Sequence, residues 1–249
     1  MKKLSLLFMI SLWAFAFMAE AQQSSYYEMR THHSPEGKRT DMIKRFQDHT
    51  LKLFAKNGIE NVAYFIPTDE KNNTLTFILA YPDQESRDVL WNKFVSDPEW
   101  QKAQKASEAN GPLVSKVDQV FMTDALELTA EISKLSPQES KIFELRTYHC
   151  FPGKLEAIND RFRDHTRELF EKHGMLNVIY WYTVEKDGAQ PKLVYLLAHK
   201  DEATAKASFT AFGSDPEWIK VRDASEENGK IVEKVVSVYL KALPFSPIR

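Results

Sequence analysis

The chain has 249 residues, 43% hydrophobic and 27% charged, and its 33 basic and 35 acidic side chains leave a formal net charge of −2. That balance gives no electrostatic reason to expect nucleic acid or an anionic membrane as partner. A single cysteine, Cys150, rules out an intrachain disulfide, so stability must come from burial.

The N-terminus reads as an export signal. Lys2-Lys3 precede an apolar run from Leu4 to Met18, and Ala19-Glu20-Ala21 has the small-x-small form of a cleavage site. The run is shorter than the roughly 20 residues of a membrane span. The expectation is cleavage after Ala21 and a mature periplasmic or extracellular protein with no membrane span.

From Tyr26 to His33 the chain alternates, with Tyr27, Met29, Thr31 and His33 on one side and Glu28, Arg30 and His32 on the other, which is strand periodicity. After the turn at Ser34-Pro35-Glu36-Gly37, Met42, Phe46, His49 and Leu53 recur at helical steps, and Asn57-Gly58 closes the segment as a C-cap pair. Val62–Ile66 and Thr74–Tyr81 read as a strand hairpin around the polar loop 69–73. A second helix carries Val89, Leu90 and Phe94. It restarts at Asp97-Pro98-Glu99, where Asp97 is placed as N-cap and Pro98 at the first helical position. Val117–Met122 is a last strand. The order strand, helix, strand, strand, helix, strand is the ferredoxin-like pattern.

The same order then recurs. Arg45-Phe46-Gln47-Asp48-His49-Thr50 returns 116 positions later as Arg161-Phe162-Arg163-Asp164-His165-Thr166, and Ser96-Asp97-Pro98-Glu99-Trp100 returns 118 positions later as 214–218. One unit has been duplicated. The expected division is a signal at 1–21, a first repeat at 26–122, a linker at 123–141 with a short helix in part of it, and a second repeat at 142–243. The tail at Pro244–Pro247 shows no pattern of its own. A single ferredoxin-like unit covers one sheet face with helices, yet its middle strands are apolar on both sides. Two units packed sheet to sheet bury both open faces, so the fold expected is α+β, an intramolecular pseudo-dimer.

Tyr27-Glu28-Met29-Arg30-Thr31 and Phe143-Glu144-Leu145-Arg146-Thr147-Tyr148, each followed by a turn with Pro, Gly and Lys, resemble the opening of NIPSNAP domains, and Ser-Asp-Pro-Glu-Trp fits the same family. The resemblance covers the whole mature chain, twice. It implies the dimeric α+β barrel fold, whose wider superfamily includes cofactor-free monooxygenases, haem-handling enzymes and members without known activity. It brings no established catalytic residues.

The residues themselves supply candidates. His49 and His165 fall on the apolar stripe of the first helix of each repeat and are expected to point at the sheet, as general base, haem contact or core histidine. Glu28/Arg30 and Glu144/Arg146 share a strand face by their i, i+2 spacing. With Tyr27 and Met29 toward the helices, these charges would face the barrel interior. There they form either a Glu–Arg clamp or an anion holder, with Arg30 or Arg146 taking a carboxylate or enolate. His33 and His149 close the first strands and reach the same cleft only through a bulge. His32-His33 suggests adventitious metal binding, but no spacing of a designed metal site is present. Tyr64 and Tyr180, with Trp100, Trp181, Tyr182 and Trp218, either line an apolar ligand cavity or pack the core. Trp91 and Cys150 show no counterpart in the other repeat. Three functions follow: a binding module for a small apolar or aromatic molecule or a protein partner, which is preferred; a cofactor-independent oxygenase or isomerase; and a haem-binding protein. No cofactor is expected under the first two.

Overall fold

The computed structural model describes residues 25–129 and 142–249. The export signal and residues 130–141 of the expected linker lie outside them. Repeat one runs β1 (Tyr26–His33), α1 (Arg39–Arg45), a π-helical turn (Phe46–Thr50), α2 (Leu51–Lys56), β2 (Glu60–Pro67), β3 (Thr74–Tyr81), α3 (Gln84–Ser96), α4 (Pro98–Ser107) and β4 (Lys116–Asp124). The short α5 (Leu126–Thr129) follows. Repeat two runs β5 (Ile142–Cys150), α6 (Leu155–Arg161), a second π turn (Phe162–Thr166), α7 (Arg167–Lys172), β6 (Leu176–Thr183), β7 (Leu193–His199), α8 (Glu202–Ser214), α9 (Pro216–Ser225) and β8 (Val232–Ala242). The Asp97 cap is as expected, its carboxylate accepting from Glu99 N at 2.9 Å with Pro98 opening α4. Gly58 takes φ +85 just after α2, a conformation that L side chains rarely adopt.

Each repeat contributes four antiparallel strands, and the two sheets join at their edges, β2 to β8 and β4 to β6, into one closed eight-stranded barrel. The open faces meet inside as expected, and edge pairing also removes the free strand edges that two stacked sheets would leave. The interior is a packed core. Trp181 and Phe143 fill it together with Phe65, Ile78, Met122 and Leu196, each no more than 1% exposed. Two further cores lie outside the barrel, one under each repeat's helices. This explains why β3 and β7 are largely apolar, since every residue of both is buried.

The segments after β4 and β8 are reciprocal arms. Ala125 and Leu128 pack into the helix-side core of repeat two, and Ala125 N donates to Tyr180 O at 3.1 Å. Leu243 and Phe245 pack into that of repeat one, Leu243 N donates to Tyr64 O at 2.9 Å, and Tyr64 N donates to the Ser246 hydroxyl at 2.9 Å. The tail that showed no sequence pattern therefore closes the neighbouring repeat.

β1 faces opposite to the expectation. Tyr27 and Met29 belong to the barrel core, and Glu28 and Arg30 face the helices. The barrel interior offers almost only carbon, whereas the helix side offers Arg87 of α3 and Gln119 of β4 as partners, and buried charge goes where partners are.

The duplicated motif is the π turn itself. Leu51 N–H donates to Phe46 O and Arg167 N–H to Phe162 O, each five residues back. One extra residue in the turn shifts the phase of the helix. Thr50 and Thr166, each 1% exposed, take the inward positions, and His49 and His165 are turned out into solvent. Each threonine hydroxyl donates to the carbonyl five residues earlier, Thr50 to Arg45 O at 3.2 Å and Thr166 to Arg161 O at 2.9 Å. Thr50→Val and Thr166→Val are each expected to cost about 1 kcal/mol. The double variant should lose about the sum, because the sites are in different repeats, and urea denaturation monitored by tryptophan fluorescence measures both.

Candidate functional site

In repeat one a cavity of about 370 Å³ lies between the outer face of the sheet and the helices. Its sheet wall is Arg30 and His32, neighbours by strand alternation, with Phe77 of β3. Its helix wall is Arg45, Phe46 and Thr50 around the π turn, Trp91 of α3 and Trp100 of α4. Both guanidinium groups lie over indole rings, Arg30 at 4.3 Å from the Trp91 centroid and Arg45 at 5.4 Å from that of Trp100.

Behind this wall, fully buried Glu28 accepts hydrogen bonds from Arg30, from Arg87 Nε at 2.8 Å and Nη2 at 3.0 Å, from Gln119, and from the Tyr81 hydroxyl at 3.2 Å. Burial pushes its carboxyl pKa up, and the hydrogen bonds and charges of Arg87 and Arg30 outweigh that, leaving it below the ordinary value. Arg45 is held by Glu108 at 2.8 Å. His32 is different. Its ring stands edge to face against Phe46 and Phe77, and neither nitrogen has a hydrogen-bond partner among the described residues. Burial, then the charges of Arg30, Arg45 and His33, push its pKa down to about 3. At neutral pH it is an uncharged imidazole with one free donor and one free acceptor.

Repeat two carries the same frame with different fillings. Arg146 lies 4.4 Å over Phe209, which occupies the place of Trp91, so Trp91 has a positional counterpart after all. Arg161 is held by Glu226 at 3.2 Å and lies 5.2 Å over Trp218. Tyr148 stands where repeat one has His32, and Tyr195 where it has Phe77, their rings 5.4 Å apart. Glu144 accepts from Arg146, Ser237 and, at 3.2 Å, His199.

The other candidates separate. Exposed His165 borders a surface groove of about 520 Å³ whose floor is Ala157, Val221 and Ala224. Its acids are already paired, Asp160 and Asp164 with Arg163 and Glu217 with Lys172. That groove is larger than the repeat-one cavity, but Arg161 is its one residue with an unpartnered buried nitrogen among the described residues, and no phenylalanine, tyrosine or tryptophan lines it. His33 bonds Asp118 at 2.6 Å at the strand end. It points away from His32, because alternation sends adjacent residues to opposite faces, so the pair does not chelate. His149 is half-buried, its pKa lowered by burial and by Lys192 and Lys234. Tyr64 and Tyr180 are buried core residues whose hydroxyls donate to Asn61 and Asn177. Trp181 fills the barrel.

A family model described as NIPSNAP matches residues 27–125 and again residues 143–247. The chain belongs to the NIPSNAP family. No curated protein matches it. An uncharacterized NIPSNAP domain protein from Burkholderia xenovorans is 23% identical over 39% of this chain and 90% of its own, with a TM-score of 0.34. Over the full barrel, a provisionally assigned monooxygenase from Lactobacillus acidophilus NCFM is 9% identical, covering 88% of this chain and 94% of its own, with a TM-score of 0.57. An anthrone oxidase-like protein is 7% identical, covering 89% and 92%, with a TM-score of 0.59. The two full-length likenesses show a shared α+β barrel fold and nothing of the chemistry.

The sequence picked out Arg30 and missed its neighbours in the cavity. Sequence alone presents His32 only as half of an adventitious metal pair with His33, and Trp91 as a residue without a counterpart in the other repeat. Arg45 was legible, since it opens the motif written twice. Glu28→Gln is expected to destabilise the protein by roughly 3–5 kcal/mol at neutral pH, since it leaves guanidinium charge buried without its counter-ion. Because the folded-state pKa of Glu28 is depressed, its contribution is present above the unfolded value of about 4.3 and is lost as pH falls through the folded one. The gap between wild type and Glu28→Gln should therefore close below about pH 4, as read from denaturation midpoints across pH.

Proposed function

We propose that this NIPSNAP protein is a binding module that holds a small aromatic molecule in the helix–sheet cavity of repeat one. The observation that carries the reading is a 370 Å³ space walled by Trp91, Trp100, Phe46 and Phe77 and lined by Arg30, His32 and Arg45, each with a buried nitrogen that has no partner among the described residues. A pocket of that size with few, convergent polar groups is the usual form of a small-molecule site. Residues 1–21 carry the pattern of an export signal, and the ligand is accordingly proposed to be met outside the cytoplasm.

Oxygen chemistry is a second reading, favoured by the fold shared with proteins described as a monooxygenase and as anthrone oxidase-like. It needs a base. His49 and His165 are exposed on the helix surface and do not line the repeat-one cavity. His32 is placed for the task, but an imidazole with a pKa near 3 is a weak proton acceptor at neutral pH, where an effective base titrates near the operating pH. The geometry therefore favours holding a molecule over deprotonating it.

The test is His32→Tyr, which installs the residue that repeat two already accommodates. The variant is expected to keep the near-UV dichroism of the wild type. It should abolish the quenching of tryptophan fluorescence by naphthalene-sized aromatic compounds, because the added ring fills the cavity. Quenching that survives the substitution places the ligand elsewhere and refutes this site. Oxygen uptake with anthrone, which yields anthraquinone and water from one O₂, separates the second reading. No uptake above that of buffer is expected.

A further inference from the structure

Resting on that reading, we infer that the molecule the cavity selects is a planar aromatic carboxylate, a monoanion whose oxygens accept from the Nε–H groups of Arg30 and Arg45. Both of these donors are buried and have no acceptor among the described residues. Arg45 is 4% exposed, so water does not easily substitute. A donor sealed from solvent without an acceptor is costly, and here two of them belong to residues that line the same cavity.

The charge count points the same way. Around the cavity stand the guanidinium groups of Arg30, Arg45 and Arg87, against the carboxylates of Glu28 and Glu108. Glu28 is shared by Arg30 and Arg87, and Glu108 is taken by Arg45. Asp88 bonds Arg87 at 2.9 Å but is 66% exposed, where water screens it. Among the less exposed groups, three guanidinium groups thus stand against two carboxylates. A monoanion balances that excess, whereas a dianion would reverse it. Guanidinium N–H groups suit a planar carboxylate, and the indole and phenyl walls suit the flat apolar body that carries it. His32 adds one donor and one acceptor for a further ring substituent such as a hydroxyl. Repeat two keeps Arg146 and Arg161 with the same unpartnered Nε groups, but Tyr148 stands in the place of His32. The inference is confined to repeat one.

The experiment titrates the full chain with 1-naphthoate and with its neutral isosteres 1-naphthamide and 1-naphthalenemethanol, by tryptophan fluorescence and calorimetry. Arg30→Lys and Arg45→Lys keep the charge and remove the Nε–H. Naphthoate is expected to bind about tenfold or more tightly than either isostere, a difference of about 1.4 kcal/mol. Each lysine variant, with unchanged near-UV dichroism, should lose about tenfold toward naphthoate and little toward naphthamide. Should one variant fail to fold, the other and the wild-type isostere comparison still decide. Equal binding of naphthoate and naphthamide overturns the carboxylate inference and leaves the cavity reading standing. No binding of any of the three compounds, or naphthoate binding untouched by His32→Tyr, overturns both.

Discussion

A carboxylate sits in the middle of each sheet where water does not reach, and most of what surrounds the cavity can be traced to keeping it charged. Glu28 has no exposed surface, so its stability depends on partners drawn from four elements: Arg30 on its own strand, Arg87 on α3, Gln119 on β4 and Tyr81 on β3. Satisfying Glu28 therefore ties the second helical layer to the sheet. It also fixes Arg30, whose guanidinium lies over the Trp91 ring at the cavity wall. A structural ion pair and a candidate ligand donor are here the same side chain. The sequence posed these as alternatives for Glu28/Arg30, and the structure lets both hold.

Repeat two shows how one frame tolerates different chemistry. Where repeat one has Arg87, Gln119 and Tyr81 around its glutamate, repeat two has Ala205, Ser237 and His199. The second glutamate thus keeps one guanidinium partner, Arg146, instead of two. The same repeat replaces His32 by Tyr148 and Phe77 by Tyr195, putting more volume and two hydroxyls into the space between sheet and helices. Burial lifts the Tyr195 hydroxyl far above its ordinary pKa, which keeps it neutral. The pseudo-two-fold symmetry is therefore a symmetry of backbone and of the Glu–Arg pair, and the cavity linings depart from it.

The architecture was legible because duplication and periodicity both report backbone geometry. The repeated Asp-Pro-Glu-Trp fixes a cap, the apolar runs of β3 and β7 demand cover on both faces, and the order of elements selects the fold. What was not legible depends on phase. The spacing of Met42, Phe46, His49 and Leu53 is that of an ordinary α-helix. Nothing in those letters announces that the turn after Phe46 holds an extra residue and exchanges His49 for Thr50. The face of β1 was misread for a related reason: strand alternation says which residues share a side, but not which side is inside. Assigning Tyr27 and Met29 to the barrel requires knowing that its interior is closed and dry.

That dry interior also bears on where a ligand can go. In a barrel of eight strands the lumen is narrow enough for side chains to fill, and Trp181 and Phe143 do so here. The sheet has only its outer face left for function, and there the helices must pack against it or stand off. Around the widened turn at Phe46–Thr50 they stand off, with two guanidinium groups and an imidazole lining the gap. The π turn turns a histidine out to solvent and brings a self-satisfied threonine in, which leaves the polar chemistry of the gap to Arg30, His32 and Arg45. The motif written twice thus shapes the cavity wall, while a residue that distinguishes the two repeats there, His32 against Tyr148, lies outside it on the first strand.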